Sequence, residues 1–168
     1  MFSAGIITVS DKGSQGKRED QSGPVIAELL TGADVSIRKT IIIPDEIDQI
    51  SQAIVQFADV EKLDLILTTG GTGVSPRDLT PEATLKVLDK EIPGIAEAMR
   101  AASMKITPHA MISRAVAGIR GRSLIINLPG SPKSAKENLS VIMPALAHTM
   151  EKIQGDERDC ATVLQTTR

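Results

Sequence analysis

Residues 68–84 read Thr68-Thr-Gly-Gly-Thr-Gly-Val-Ser-Pro-Arg-Asp-Leu-Thr-Pro-Glu-Ala-Thr84. A short apolar run, Leu63-Asp64-Leu65-Ile66-Leu67, precedes them and reads as a buried strand. Three glycines follow, and Thr80-Pro81-Glu82 reads as a helix start. Strand, glycine loop and helix in that order make one unit of an α/β fold. Glycines there let backbone N–H groups face outward without a Cβ in the way, so such a loop can cradle phosphate oxygens. Arg77 and Asp78 set a cation and a carboxylate beside the cradle. The combination points to phosphate or nucleotide chemistry.

The same unit recurs on both sides. Ile6 to Val9 is a β-branched strand running into a polar loop, Ser10 to Ser22. A helix follows from Gly23-Pro24, with Val25, Ile26, Leu29 and Leu30 on one side. Val35 to Ile43 is a second strand, ending at Pro44-Asp45, and residues 46–60 carry Ile47, Ile50, Ile54 and Phe57 at helical spacing. The third strand, Leu63 to Leu67, leads through the glycine loop into a helix from Pro81 to about Lys90. Pro93-Gly94 breaks the chain before a helix from Ile95 to about Lys105. Residues 107–122 fit either a short helix or an excursion of strands. Ser123 to Leu128 is a strand ending at Pro129-Gly130, and Ser131-Pro132 starts a helix to about Ile153. This order predicts an α/β fold: one three-layer domain over residues 1–154, mostly parallel sheet, helices on both faces. Residues 155–168 read as a loosely held polar tail.

A chain of 168 residues is one domain's worth, and hydrophobic residues at 41% suffice for a core. Two Phe and no Trp or Tyr leave packing to aliphatic side chains and argue against single-stranded nucleic acid, which needs stacking platforms. A net charge of −2 offers no polybasic face for DNA or membrane. Cys160 alone excludes an intramolecular disulfide, and with only two histidines, His109 and His148, the composition argues against a zinc site. No apolar run reaches membrane-spanning length and no signal-type N-terminus is visible, so a cytoplasmic protein is expected.

Each polar loop lies at the carboxyl end of its strand, the edge where open parallel sheets bind ligands. Single residues leave alternatives open. Asp45 fits an N-cap of the following helix or a site acid. Asp78 is left over if Thr80 caps and Pro81 is N1; Mg2+ or Arg77 could then be its partner. With Ser131 as N-cap, Lys133 sits at N2, where the helix dipole opposes a cation unless an anion binds there. Ser10-Asp11 and Asp20-Gln21-Ser22-Gly23 are ordinary turn chemistry taken alone. Neither a Walker A pattern nor GxGxxG occurs, and no nucleophile–histidine pair stands out.

Taken together, these residues resemble the molybdenum cofactor biosynthesis proteins typified by molybdopterin adenylyltransferase and the gephyrin G domain. The segment from Thr68 to Ala83 resembles that family's signature. Ser10-Asp11, Asp20 with Ser22-Gly23-Pro24, Pro44-Asp45, Pro93-Gly94 with Glu97 and Arg100, Ser113-Arg114, and Asn127 to Lys133 follow the family's order over roughly residues 5–150. The resemblance implies AMP transfer from ATP, as co-substrate, to molybdopterin, with pyrophosphate released and Mg2+ assisting. It implies a homotrimer and a separate metal-inserting enzyme downstream; molybdenum and tungsten stay open. The matching aspartates, Asp45 and Asp78, are the acids expected to be catalytic and to hold Mg2+ directly or through water. Gly70, Gly71, Thr72 and Gly73, with Arg77, are expected at the nucleotide phosphates, and Ser131 and Lys133 at a second anionic group. Ser10, Asp11 and Ser22 are expected to shape the pocket wall. A pterin-binding or scaffold protein without turnover is the alternative.

Overall fold

The strands β1 (Phe2–Val9), β2 (Val35–Ile43), β3 (Leu65–Thr69), β4 (Lys90–Glu91), β5 (Ala117–Arg120) and β6 (Ser123–Leu128) form one sheet in the computed structural model, which describes residues 1–157. Their order is β2-β1-β3-β6-β5-β4; the first four are parallel, and β5 and β4 add an antiparallel edge. The helices are α1 (Asp11–Ser14), α2 (Ser22–Thr31), α3 (Ile47–Val55), α4 (Thr80–Leu85), α5 (Pro93–Met104) and α6 (Pro132–Ile153).

Successive side chains of a strand point to opposite faces, so a run apolar at every position needs cover on both sides. Helices α2, α5 and α6 cover one face, where Ile26, Met99, Leu139 and Leu146 pack on Ile6, Leu65, Leu67 and Ile126. On the other face Ile50, Ile54, Phe57 and Ala83 pack on Ile7, Ile66 and Ile125. The three-layer, mostly parallel expectation therefore holds. None of the described helices is long and apolar enough to cross a membrane.

β2 and β6 run over the residues expected from the sequence. β3 starts two residues late and ends at Thr69 rather than Leu67. Asp64 is diverted, its carboxylate accepting bonds of 2.7 Å from both the amide and hydroxyl of Ser3. Thr68 and Thr69 stay in the strand, fully buried, because their hydroxyls find partners in Asn127 and the Pro129 carbonyl. α4 stops at Leu85 instead of Lys90, since Lys90 and Glu91 pair with Ile119 and Gly118 of β5. Residues 107–122 supply both open alternatives, a 3-10 turn at Pro108–Ile112 and strand β5. α6 runs through Pro144 to Ile153; Pro144 is exposed, so water can satisfy the carbonyl left without a donor. The expected tail at 155–168 lies outside the described residues beyond 157.

β1 connects to β2 on one side, and the chain then returns to β3 on β1's other side, so β1 and β3 flank a topological switch point. Thr8, Thr69 and Leu128 lie in register. Their strands end level, setting Ser10, Gly70 and Pro129 on one rim.

Leu67 is fully buried, whereas Val60 is 65% exposed. Leu67→Ala should lower unfolding free energy by about 2–5 kcal/mol in urea denaturation, while Val60→Ala should stay within about 0.5 kcal/mol.

Candidate active site

A cleft of about 400 Å3 opens at this switch point, its lining including Ser10, Ser22, Asp45, Gly70, Gly71 and Ser131. A second cavity of about 240 Å3 is lined by Thr72 and Gly73 together with Arg100, Ser113, Glu137 and Asn138. Successive residues of the glycine loop thus line two cavities.

Gly70 and Gly71 both hold positive φ, +103° and +65°. A Cβ on Gly70 would run into the Val9 carbonyl, and one on Gly71 into the Thr80 hydroxyl. The Gly70 amide donates to the Leu128 carbonyl at 3.1 Å, extending the sheet ladder. It is therefore not one of the phosphate-facing amides expected from the sequence. The amides of Gly71, Thr72 and Gly73 donate to none of the described residues, so the cradle begins at Gly71. Thr80 does not cap α4; Leu79 holds the N-cap position without a side-chain bond, and Pro81 is N2. The Thr80 hydroxyl instead donates to the Gly70 carbonyl at 2.8 Å, and Thr84 donates to the Thr80 carbonyl at 2.7 Å. Asn127 closes this buried chain, donating to the hydroxyls of Thr84 and Thr68 at 2.9 Å each.

The acids divide differently from the simple alternatives. Glu46, not Asp45, is the N-cap of α3. Asp45 is buried and accepts the Asp11 amide at 2.8 Å, while its own amide donates back to the Asp11 carboxylate at 3.1 Å. The loops after β1 and β2 are locked by this exchange. Arg77 does not neutralise Asp78; its guanidinium grips Asp11 through two bonds, of 3.0 and 2.9 Å, and reaches Glu46 at 2.9 Å. Asp78 accepts the Ser75 amide at 2.8 Å, and a Cβ on Gly73 would lie 2.8 Å from its carboxylate. Asp11, Arg77 and Asp78 thus brace the loops and do not line either cavity.

Ser131 caps α6, as expected, which puts Lys133 at N2, while Ser10, read as turn chemistry, caps the short helix α1. The structure does not bring Lys133 into the cleft. Its side chain is 80% exposed, and its ammonium lies 3.9 Å from Glu137. Arg114 is absent from the residues expected at the site, yet it donates to the backbone carbonyls of Gly73 and Asp78, each at 2.6 Å, and pairs with Glu82. Asp20, turn chemistry by its sequence, takes the Thr8 hydroxyl at 2.7 Å and the Ser22 and Gly23 amides at 3.0 and 3.1 Å, orienting the start of α2. Both residues stand in the ordered motif set of the family resemblance, the one sequence signal that could have promoted them.

The model of the probable molybdopterin binding domain family matches residues 5–148. The chain belongs to that family. It is 44% identical over 154 residues to the molybdopterin adenylyltransferase of Helicobacter pylori (strain ATCC 700392 / 26695), covering 90% of this chain and 88% of that one. It is 47% identical over 156 residues to gephyrin of Dictyostelium discoideum, covering 87% of this chain but spanning only 22% of that protein's length. The crystal structure of the molybdopterin biosynthesis enzyme MoaB from Thermus thermophilus superposes with a TM-score of 0.89 at 50% identity, over 93% of this chain and 98% of that one.

In this member of the family, burial pushes the Asp45 carboxyl above the usual carboxylate range, against the Asp11 hydrogen bond that lowers it; the nearby charges of Asp11 and Asp78 raise it further. The guanidinium of Arg77 beside Asp11 holds that carboxyl low. Asp45 and Asp78 each keep one carboxylate oxygen, Oδ1, that accepts no hydrogen bond from the described residues. A Cβ on Gly71 would sit 3.1 Å from the Asp45 Oδ1, so its free oxygen lies against the cradle. Among the described residues no three His, Cys, Asp or Glu side chains converge on a metal-sized site. Two carboxylates beside a loop of unpartnered amides fit Mg2+, which takes one or two acids and completes its shell with phosphate and water.

Two outcomes test this geometry. Thr80→Val keeps the shape but leaves the Gly70 carbonyl without its donor, and should cost about 1–3 kcal/mol of stability in chemical denaturation. Folded Asp45 holds its proton more tightly than the unfolded chain, so it favours folding at acid pH and opposes it as pH rises through the folded value. Asp45→Asn should therefore raise the melting temperature at pH 7 and change it little at about pH 3.

Proposed function

We propose that this chain transfers AMP from ATP to molybdopterin, releasing pyrophosphate. The observation that supports the reading is the run of unpartnered amides at Gly71, Thr72 and Gly73, with the Asp45 carboxylate against Gly71 in the cleft and the Asp78 carboxylate against Gly73, outside the cleft lining. The relative from Helicobacter pylori named molybdopterin adenylyltransferase, with near full-length coverage, supports it.

In the reaction, a phosphate oxygen of molybdopterin attacks the α-phosphorus of ATP. One P–O bond forms; the bond to the β-phosphate's bridging oxygen breaks, and its electron pair leaves with pyrophosphate. Both reactants are anions and repel each other, so positioning and charge neutralisation do most of the work, and no protein nucleophile is needed. The amides of Gly71–Gly73 orient phosphate oxygens, and Gly70 keeps the loop close to β1. Two cavities meeting at this loop give each substrate its own place. Asp45 and Asp78 would hold Mg2+ directly or through water. When bound, the ion draws charge from the phosphate oxygens. Ser10, Ser22 and Ser131 shape the cleft; Asp11 and Arg77 hold Asp45 in place. Lys133 adds positive field at the start of α6. A cytoplasmic homotrimer that passes its product to a metal-inserting enzyme belongs to the same reading.

A pyrophosphate-release assay with ATP, Mg2+ and molybdopterin tests it. Wild type should turn over, and Asp45→Ala and Asp78→Ala should each fold yet lose on the order of 10²–10³-fold in kcat. Tight binding of both ligands without pyrophosphate would mean a pterin-binding protein instead.

A further inference from the structure

Four charged residues line the cleft: Arg18, Glu19, Asp20 and Asp45. Three are acids, so a phosphate entering meets a lining of the wrong sign. The acids are not balanced by Arg18. Asp20 is fully engaged by Thr8, Ser22 and Gly23, and Asp45 holds the Asp11 amide. Arg18 itself makes no hydrogen bond or ion pair with any described residue, although acids stand on the same lining.

The loop that carries it is set by its own backbone. Ser10 caps the Gly13 amide at 3.0 Å, Gly16 donates to the Gly13 carbonyl at 3.0 Å, and Lys17 donates to the Lys12 carbonyl at 2.9 Å. The neighbouring cations, Lys12 and Lys17, do not line the cleft. A guanidinium offers five N–H donors in a planar fork that matches a phosphate, and this one, on the cleft lining that Gly71 shares, spends none of them on a described residue.

We propose that Arg18 is a substrate-binding residue of this cleft, its guanidinium gripping a phosphate group of the nucleotide or of the pterin substrate. The proposal rests on the adenylyl-transfer reading and adds a residue to it. Lys133, the cation favoured by the sequence for an anionic group, lies outside the cleft lining, whereas Arg18 is on that lining together with Ser131.

Steady-state pyrophosphate release, varying ATP and molybdopterin in turn, tests this on wild type, Arg18→Ala, Arg18→Lys and Lys17→Ala. Loss of a charge-assisted bond should raise KM for one substrate on the order of tenfold in Arg18→Ala. The substrate whose KM moves owns the phosphate. Arg18→Lys should recover part of the loss, Lys17→Ala should leave KM unchanged, and ligand-free melting temperatures should stay level. Unchanged KM for both substrates in Arg18→Ala overturns the proposal, as does an equal rise in Lys17→Ala, which would make the effect one of diffuse charge. Wild-type turnover with an indifferent Arg18→Ala removes only this inference. A wild-type protein that neither binds ATP nor releases pyrophosphate removes the adenylyl-transfer reading and this proposal with it.

Discussion

The Thr80 hydroxyl bonded to the Gly70 carbonyl fixes where the glycine loop leaves the sheet. Thr80 is in turn held by Thr84, and Thr84 by the buried amide of Asn127 on β6. Every polar atom in this chain of bonds is removed from water, where a missing partner costs more than a present one contributes. The loop therefore cannot drift without leaving buried groups unpaired. Gly70 is also pinned from below, because only hydrogen fits between its Cα and the Val9 carbonyl. With the base fixed, the next three amides project beyond the ladder, and no described residue claims them.

Around that base, ionic contacts act as braces. Arg77 with Asp11 and Glu46, and Arg114 with Glu82, are largely exposed pairs. Pairs of this kind contribute only about 0–1 kcal/mol each to stability. Their effect is positional. The amides of Asp11 and Asp45 each donate to the other's carboxylate, Arg77 holds Asp11 from outside, and Arg114 holds the backbone of the glycine loop at Gly73 and Asp78. Asp45 is kept buried at a cost in solvation, as expected where function and stability pull apart.

The strands 35–43 and 123–128 are legible because β-branched and aliphatic residues dominate them between turn residues. β3 slips because Thr68 and Thr69 look polar in sequence; their burial depends on partners about 60 residues away. Lys90-Glu91 carries no local strand signal, and its pairing with β5 ends a helix expected to continue. Site residues follow the same division. Ser131 is readable as a cap, since capping is local. The partner of Arg77, the tie between Asp11 and Asp45, and the grip of Arg114 join residues 34 to 66 positions apart, and no local pattern reports them. Arg18 is invisible for a related reason: in Gly16-Lys17-Arg18-Glu19-Asp20 it looks like one more solvated charge.

A crystal structure with a non-hydrolysable ATP analogue and Mg2+ tests the central claim most directly. Phosphate oxygens should lie within hydrogen-bonding distance, roughly 2.7–3.2 Å, of the amides of Gly71–Gly73, with Asp45 and Asp78 beside the ion. A nucleotide lodged elsewhere, with those three amides meeting only water, would contradict it.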